Sequence, residues 1–444
     1  MKATLRVPRL LLLAILVTGI GGTATPAAAG AQEARARWER ACQIRHEKFD
    51  LVLPGAMRAN DIDMWIVVMR EGLLDPLWEA LGRGYVGGWA YWVFTDAGAR
   101  TERAAFGVGG YGPEQCGVYD HFGSADELAA WVSERDPSRI GVNMAEHIGG
   151  ADGLSHTSYL HLKDVLGAPW ADRLVSAQKL VSDFRATRTA IEIATFAEAG
   201  EMSREIAERA FSNEVITPGV TTLEDVAWWM RDQQLARGLE SSFDMPSVYV
   251  TGPEGVIASS TDRIIQRGDL LMIDWGVGFL DFYTDMKRVA YVLRDGEVEP
   301  PAGIRNAFEQ AVRVRDVMKS SIRTAPTAQQ ALDVTWRAIE AAGFRRIEFN
   351  RPSSDPSTTD VAIGPHSVGN WGHGIGPSLA FFNPEQLTYE FRPGTLFSVE
   401  LFAYTAVPEW GGAKARIPLE DDAVVTERGV EWLYPVSHRI LVIK

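Results

Sequence analysis

Cysteine is scarce: the 444 residues hold two, Cys42 and Cys116, and no Cys-x-x-Cys pair. A thiolate zinc site is therefore excluded. Two thiols do not make a disulfide framework, although in an oxidising compartment they can pair. Histidine is nearly as scarce, with eight residues, and between His161 and His438 only His366 and His373 occur. Positive charge is in deficit, with 44 Lys and Arg against 58 Asp and Glu and a net charge of −14, which argues against nucleic acid as a partner. Beyond the N-terminal segment no apolar run is long enough to span a bilayer. No internal repeat stands out.

The N-terminal segment has its own pattern. Lys2, Arg6 and Arg9 flank or precede "LLLLAILVTGIGG", and "TPAAAGAQ" follows, with small residues spaced for cleavage after Ala29 or Ala31. Residues 1–31 thus read as a secretory signal peptide, which predicts a secreted or periplasmic protein. The apolar stretch is shorter than the ~20 residues a span needs; an uncleaved anchor is the alternative. The remainder is too long for one ordinary core, so two domains are expected. Residues 32–180 read as a smaller α/β domain. Its strands are "IDMWIVVM", "YWVFTD" and "RIGVNM", and its helix "SADELAAWVSER" opens on a Ser cap with Glu127 three residues on. Residues 181–444 form the second domain: long helices first, then strands joined by Gly-rich turns, with helices again near 303–345.

What is present in that second half is carboxylate in apolar company. "LLMIDWGVGFLDFYTDMKRVAYVL", from Leu270 to Leu293, is strand-like and mostly apolar, yet contains Asp274 and Asp285. A turn centred between Phe279 and Leu280 sets these two directly opposite each other on one face, Cβ atoms ~4.5–5.5 Å apart. Carboxylates held that close repel unless a cation lies between them. "GTLFSVELFAYT" carries Glu400 and "ARIPLEDDAVVT" carries Glu420, and a turn centred on Trp410 opposes these as well. His373 sits among glycines in "GNWGHGIGP". Two Asp, one His and two Glu suit a pair of divalent ions such as Mn, Fe, Co or Zn.

With these motifs in hand the chain resembles the pita-bread metallopeptidase family M24, on its Xaa-Pro aminopeptidase and prolidase branch. "DWGVGFLDFYTDMKR" is similar to the family's motif of two Asp ten residues apart followed by Arg. "GHGIG" matches its His-Gly loop, and "FSVEL" and "LEDDAVV" match its two Glu motifs. The likeness spans residues 180–444, with residues 33–180 similar to the family's smaller N-terminal domain. It implies an α+β pita-bread catalytic domain preceded by an α/β domain, a homodimer, and a metal-dependent hydrolase acting on short, proline-containing peptides. It also implies two divalent ions: Asp274 on one, Asp285 and Glu420 bridging both, His373 on one and Glu400 on the other. A metal-bridged hydroxide would be the nucleophile, with Glu400 also passing protons to the leaving amine.

The chain departs from the family at two places. Histidines expected on the substrate side would fall at Ile257 and Ala380. Loss of one such donor typically costs ~2.7–4 kcal/mol of transition-state stabilisation. Three readings follow. The protein is a diverged peptidase in which His366, Tyr283, Trp371 or Arg416 serves the donor or substrate-binding role, His366 as a catalytic residue on the same loop as His373. Or it is a pita-bread enzyme with non-peptide C–N or C–S chemistry. Or it binds metal without turnover. Trp371 and Trp410 lie in motif loops and are placed to wall a small apolar pocket, or to plug the loops from beneath.

Overall fold

The structure is a computed structural model that describes residues 26–444 apart from 254, 258–261 and 374. The proposed signal peptide thus lies mainly outside the described residues. Residues up to Arg40 form one compact unit and Ala41–Lys444 the other. The described residues of the first are helical, within Pro26–Glu47. Among the described residues no helix is long and apolar enough to cross a membrane.

The second unit begins with a mixed six-stranded sheet. Its central strand Met64–Arg70 is flanked by Tyr85–Asp96 (antiparallel) and Ile140–Val142 (parallel), which explains why "MWIVVM" is apolar on both faces. The helical stretch at residues 125–135 starts on the expected capping box between Ser124 and Glu127. Cys42 and Cys116 are disulfide-bonded, joining the helix Pro26–Glu47 to the end of the short helix Tyr111–Cys116.

The remaining residues build two layers of helix over four smaller sheets. Helix Ala190–Ala210 starts on a capping box, Thr189 with Glu192, and Leu223–Ala236 on another, Thr222 with Asp225. Their apolar faces pack on the strands around Leu271, Ile273, Met286 and Ala290. Helices Ala302–Ser321 and Ala328–Ala341 cover the other side, against Met272, Val289, Leu401, Ile417 and Leu419. Two sheet seams carry the residues of interest. Leu270–Trp275 pairs antiparallel with Met286–Val292. Leu401–Ala406 pairs with Lys414–Leu419, and the same register continues through Leu396–Ser398 and Asp422–Thr426.

The second seam has the register expected from the sequence: Leu401 faces Leu419 and Ser398 faces Asp422, so Glu400 and Glu420 oppose each other. The first needs a correction. Asp274 faces Lys287, not Asp285. The turn is centred between Leu280 and Asp281, both with positive φ (52° and 68°), and closes a small hairpin in which Gly278 faces Tyr283. This primed-type turn shifts the register by two residues and so preserves the face: Asp285 still points the same way as Lys287 and Asp274. Gly276 makes the crossing possible, since a Cβ there would lie 1.8 Å from the Thr284 carbonyl oxygen.

Candidate metal centre

The two seams meet where the Lys287 N–H donates to the Glu420 carbonyl at 3.2 Å. Buried charge fixes this junction from behind. Arg288 lies 2.9 Å and Arg315 3.5 Å from the Asp421 carboxylate, all three buried. The carboxylate of Asp422 accepts from the Asp285 backbone N–H at 3.3 Å and from the Tyr434 hydroxyl at 3.2 Å. Neighbours Asp421 and Asp422 thus hold the two strands while Glu420 points forward.

In front of the junction six side chains converge. Asp285, His366 and His373 form one group whose candidate ligand atoms all lie within 4.8 Å of one another; His366, Glu400 and Glu420 form a second, and Asp274, Asp285 and Glu420 a third. His366 belongs to two of the three. It is buried, with Nε2 3.6 Å from Glu420 and 3.8 Å from Asp285, and its ring meets that of His373 edge-on at 4.7 Å. Glu400 reaches the cluster because residue 364 is glycine: a Cβ there would come within 2.6 Å of Glu400 Oε2.

Lys287 was not foreseen from the sequence. Its Nζ lies 3.2 Å from Asp274 Oδ2 and 2.9 Å from Glu400 Oε1, and it donates to Glu420 Oε2. Burial works against this ammonium, and the charges of Asp274, Glu400, Glu420 and Asp285 overcome it, so Lys287 is held protonated. Burial pushes the Asp285 carboxyl well up, with Glu420 adding to the effect and Lys287 opposing it. Desolvation, then the charge of His366, lowers His373 to about 4, leaving its imidazole neutral and able to donate a lone pair.

The other sequence candidates divide. Arg416 joins Asp274, Lys287, Tyr249 and Asn350 in lining a cleft of about 180 Å³ that reaches the cluster from the Asp274 side. Tyr283 gives its hydroxyl to Glu240 instead of the cluster. Trp371 is 70% exposed, two residues before His373. Ala380 is fully buried, and the aromatic pair after it, Phe381 and Phe382, meets Phe349 at tilted angles, with Phe402 edge-on to Phe349, beside Glu400 and His373. Ile257 ends the edge strand Gly255–Ile257.

Asp285 Oδ1 is buried without a hydrogen-bond partner, and with His366 and His373 it offers one carboxylate and two imidazoles to a single ion. That set fits. On the other side Asp274 Oδ1 is likewise buried without a partner, and Asp274, Asp285 and Glu420 also group closely enough to hold an ion, but there the Lys287 ammonium already contacts Asp274, Glu400 and Glu420.

Comparison with known proteins agrees with this arrangement. The sequence model of metallopeptidase family M24 matches residues 194–427. The chain belongs to this family. It is 25% identical over 273 residues to the uncharacterized peptidase YqhT of Bacillus subtilis (strain 168), covering 58% of this chain and 64% of that one. It is 21% identical over 275 residues to the Xaa-Pro dipeptidase of Pyrococcus furiosus, covering 59% and 67%. In structure it is similar to the X-Pro aminopeptidase from Thermotoga maritima MSB8, with a TM-score of 0.62, 17% identity, and coverage of 87% and 99%. The M24 member therefore has the α+β pita-bread fold with an additional α/β portion at its N-terminal side.

Proposed function

We propose that this M24 protein is a metal-dependent hydrolase of short proline-containing peptides, an Xaa-Pro aminopeptidase or Xaa-Pro dipeptidase. The observation that carries this reading is the convergence of Asp274, Asp285, His366, His373, Glu400 and Glu420 in one cluster. Mn, Co, Zn or Fe suits such nitrogen and oxygen donors. A divalent ion bound there supplies Lewis acidity and activates water near neutral pH. The chain's own groups do the rest. Glu400, held by Lys287 through one oxygen, takes and returns the proton needed by a leaving amine. Phe349, Phe381 and Phe382 offer an apolar wall for a proline ring. Arg416 offers a guanidinium at the cleft to a peptide carboxylate. The Cys42–Cys116 disulfide supports export to an oxidising compartment, as the N-terminal segment implies. Homodimerisation belongs to the same reading, and light scattering tests it.

The testing experiment is an assay of the chain from residue 32 against Xaa-Pro dipeptides and longer Xaa-Pro peptides, with each metal added back. Cleavage that disappears in Glu400→Gln is the expected result. The absence of histidine at 257 and 380 favours a second reading, non-peptide C–N or C–S chemistry or metal binding without turnover. Bound metal with no cleavage of any peptide would transfer the conclusion to it.

A further inference from the structure

We propose that Lys287 takes the place of one of two metal ions, so that the centre binds a single divalent ion through Asp285, His366 and His373. The inference rests on the metal-binding part of the reading above, not on the substrate. Three observations support it. The first is valence. An ammonium has three protons, and Lys287 aims them at Asp274, Glu400 and Glu420, at 3.2 Å, 2.9 Å and hydrogen-bond contact. The one ammonium is thus shared among the three carboxylates, by hydrogen bonds to Glu400 and Glu420 and an ion pair with Asp274 Oδ2, while Asp274 Oδ1 stays buried without a partner.

The second concerns Glu420, which a two-ion centre needs as a bridge. Both of its oxygens are already engaged by the chain: Oε1 accepts from Ser398 Oγ at 2.5 Å and Oε2 from Lys287. Glu420 is fully buried, so neither bond is exchangeable for water. The third is construction. Lys287 is no stray surface side chain. It lies in the buried strand Met286–Val292, directly opposite Asp274, and its backbone N–H bonds the Glu420 carbonyl. Its position is set by the sheet, and withdrawing it would leave an unpaired ammonium in the interior.

Electrostatics point the same way. One ammonium with one divalent ion brings three positive charges to the four carboxylates of Asp274, Asp285, Glu400 and Glu420. Two divalent ions beside the ammonium would bring five, with like charges a few ångströms apart. The group that Lys287 leaves open is the one with two imidazoles. One carboxylate and two histidines form the open-sided set that catalytic zinc and non-haem iron sites use, with positions left for water or substrate.

The test is metal stoichiometry in the absence of substrate. The whole chain is equilibrated with Mn(II) or Zn(II) by dialysis and the bound ion counted by elemental analysis. Wild type is expected to hold about one ion, Lys287→Ser about two, and His373→Ala none. Two ions on wild type, or no second ion on a folded Lys287→Ser, would overturn the inference. Should Lys287→Ser fail to fold, the Mn(II) electron paramagnetic resonance spectrum of wild type decides alone. An isolated six-line signal at saturation is expected, whereas a spin-coupled pair rejects the proposal. The outcomes separate the two conclusions. One ion with no peptide cleavage leaves this inference standing and removes the peptidase reading. Two ions with cleavage does the reverse. No ion on wild type removes both.

Discussion

Asp75 is buried in the segment between the strand Met64–Arg70 and the short helix Trp78–Leu81. Its carboxylate accepts from the Leu77 N–H at 2.9 Å and from Asn143 Nδ2 at 2.9 Å, and Asn143 in turn accepts from the Trp65 indole at 2.8 Å. Burial raises its pKa to about 6; the two hydrogen bonds and Arg185 lower it, and Asp152 raises it further. In the unfolded chain the value is ~3.9. Between these values the folded state binds more protons than the unfolded one, so stability falls as pH rises from about 4 to about 6 and then levels off. Two pKa units correspond to roughly 3 kcal/mol. Asp75→Asn removes the titration. Its stability relative to wild type is expected to improve by on the order of 2–3 kcal/mol between pH 4 and pH 7, as measured by urea unfolding at each pH. A difference that stays constant with pH would show that the carboxylate titrates elsewhere. Single residues also mark the limit of what the sequence reveals. Asp274, Asp285, Glu400 and Glu420 betray themselves because a carboxylate in an apolar strand lacks an ordinary reason to be there. Lys287 stands in the same motif, on the face of Asp285 by the two-residue period, but a strand lysine ordinarily reaches solvent. Only the covering of this strand by neighbours on both sides makes it a buried cation.

At the scale of elements, the two hairpins differ in legibility for a reason that lies in their turns. "PEWGG" has glycines at positive φ where the reversal needs them, and the register read from it is the register found. The other reversal is Leu280-Asp281, with two non-glycine residues in the left-handed region, where an Asn-Gly pair is the usual signal. Leu280 is kept there by packing against the clusters around Phe196 and Trp275, and Asp281 by its ion pair with Arg185 at 2.7 Å. Tertiary contacts thus override turn preference, and the register shifted by two. The disulfide was equally illegible: two cysteines 74 residues apart give no geometry until the first helix and the sheet bring their Cα atoms to 5.5 Å. Closing a loop of that length removes unfolded-state entropy worth roughly 4 kcal/mol in the chain model. The double variant Cys42→Ser/Cys116→Ser is therefore expected to unfold about 2–4 kcal/mol more easily, with the metal count unchanged because neither cysteine is among the clustered side chains. Reductant should reproduce the loss in wild type and leave the variant unaffected.

The whole molecule has to keep a cluster of carboxylates in its interior while carrying a net charge of −14. In a site that relies on ions alone, chelation would leave these groups repelling one another and the two seams would separate. Here Lys287 neutralises the front of the junction, and Arg288 and Arg315 neutralise Asp421 behind it. The metal-free protein is thus expected to remain folded, with the ion adding only the stabilisation that mass action gives. At an ion concentration 100-fold above Kd that is about 2.7 kcal/mol, or roughly 3 °C in Tm for a chain of this size. Calorimetry with and without EDTA measures it. A single cooperative transition that moves by a few degrees agrees with a centre partly closed by its own lysine. Collapse of the transition on chelation would mean that the carboxylates depend on metal for their compatibility. The same experiment on Lys287→Ser should then separate the two sources of positive charge. With the ammonium gone, the metal-free form loses the cation in direct contact with Asp274, Glu400 and Glu420, and its Tm is expected to depend on metal far more steeply than that of wild type.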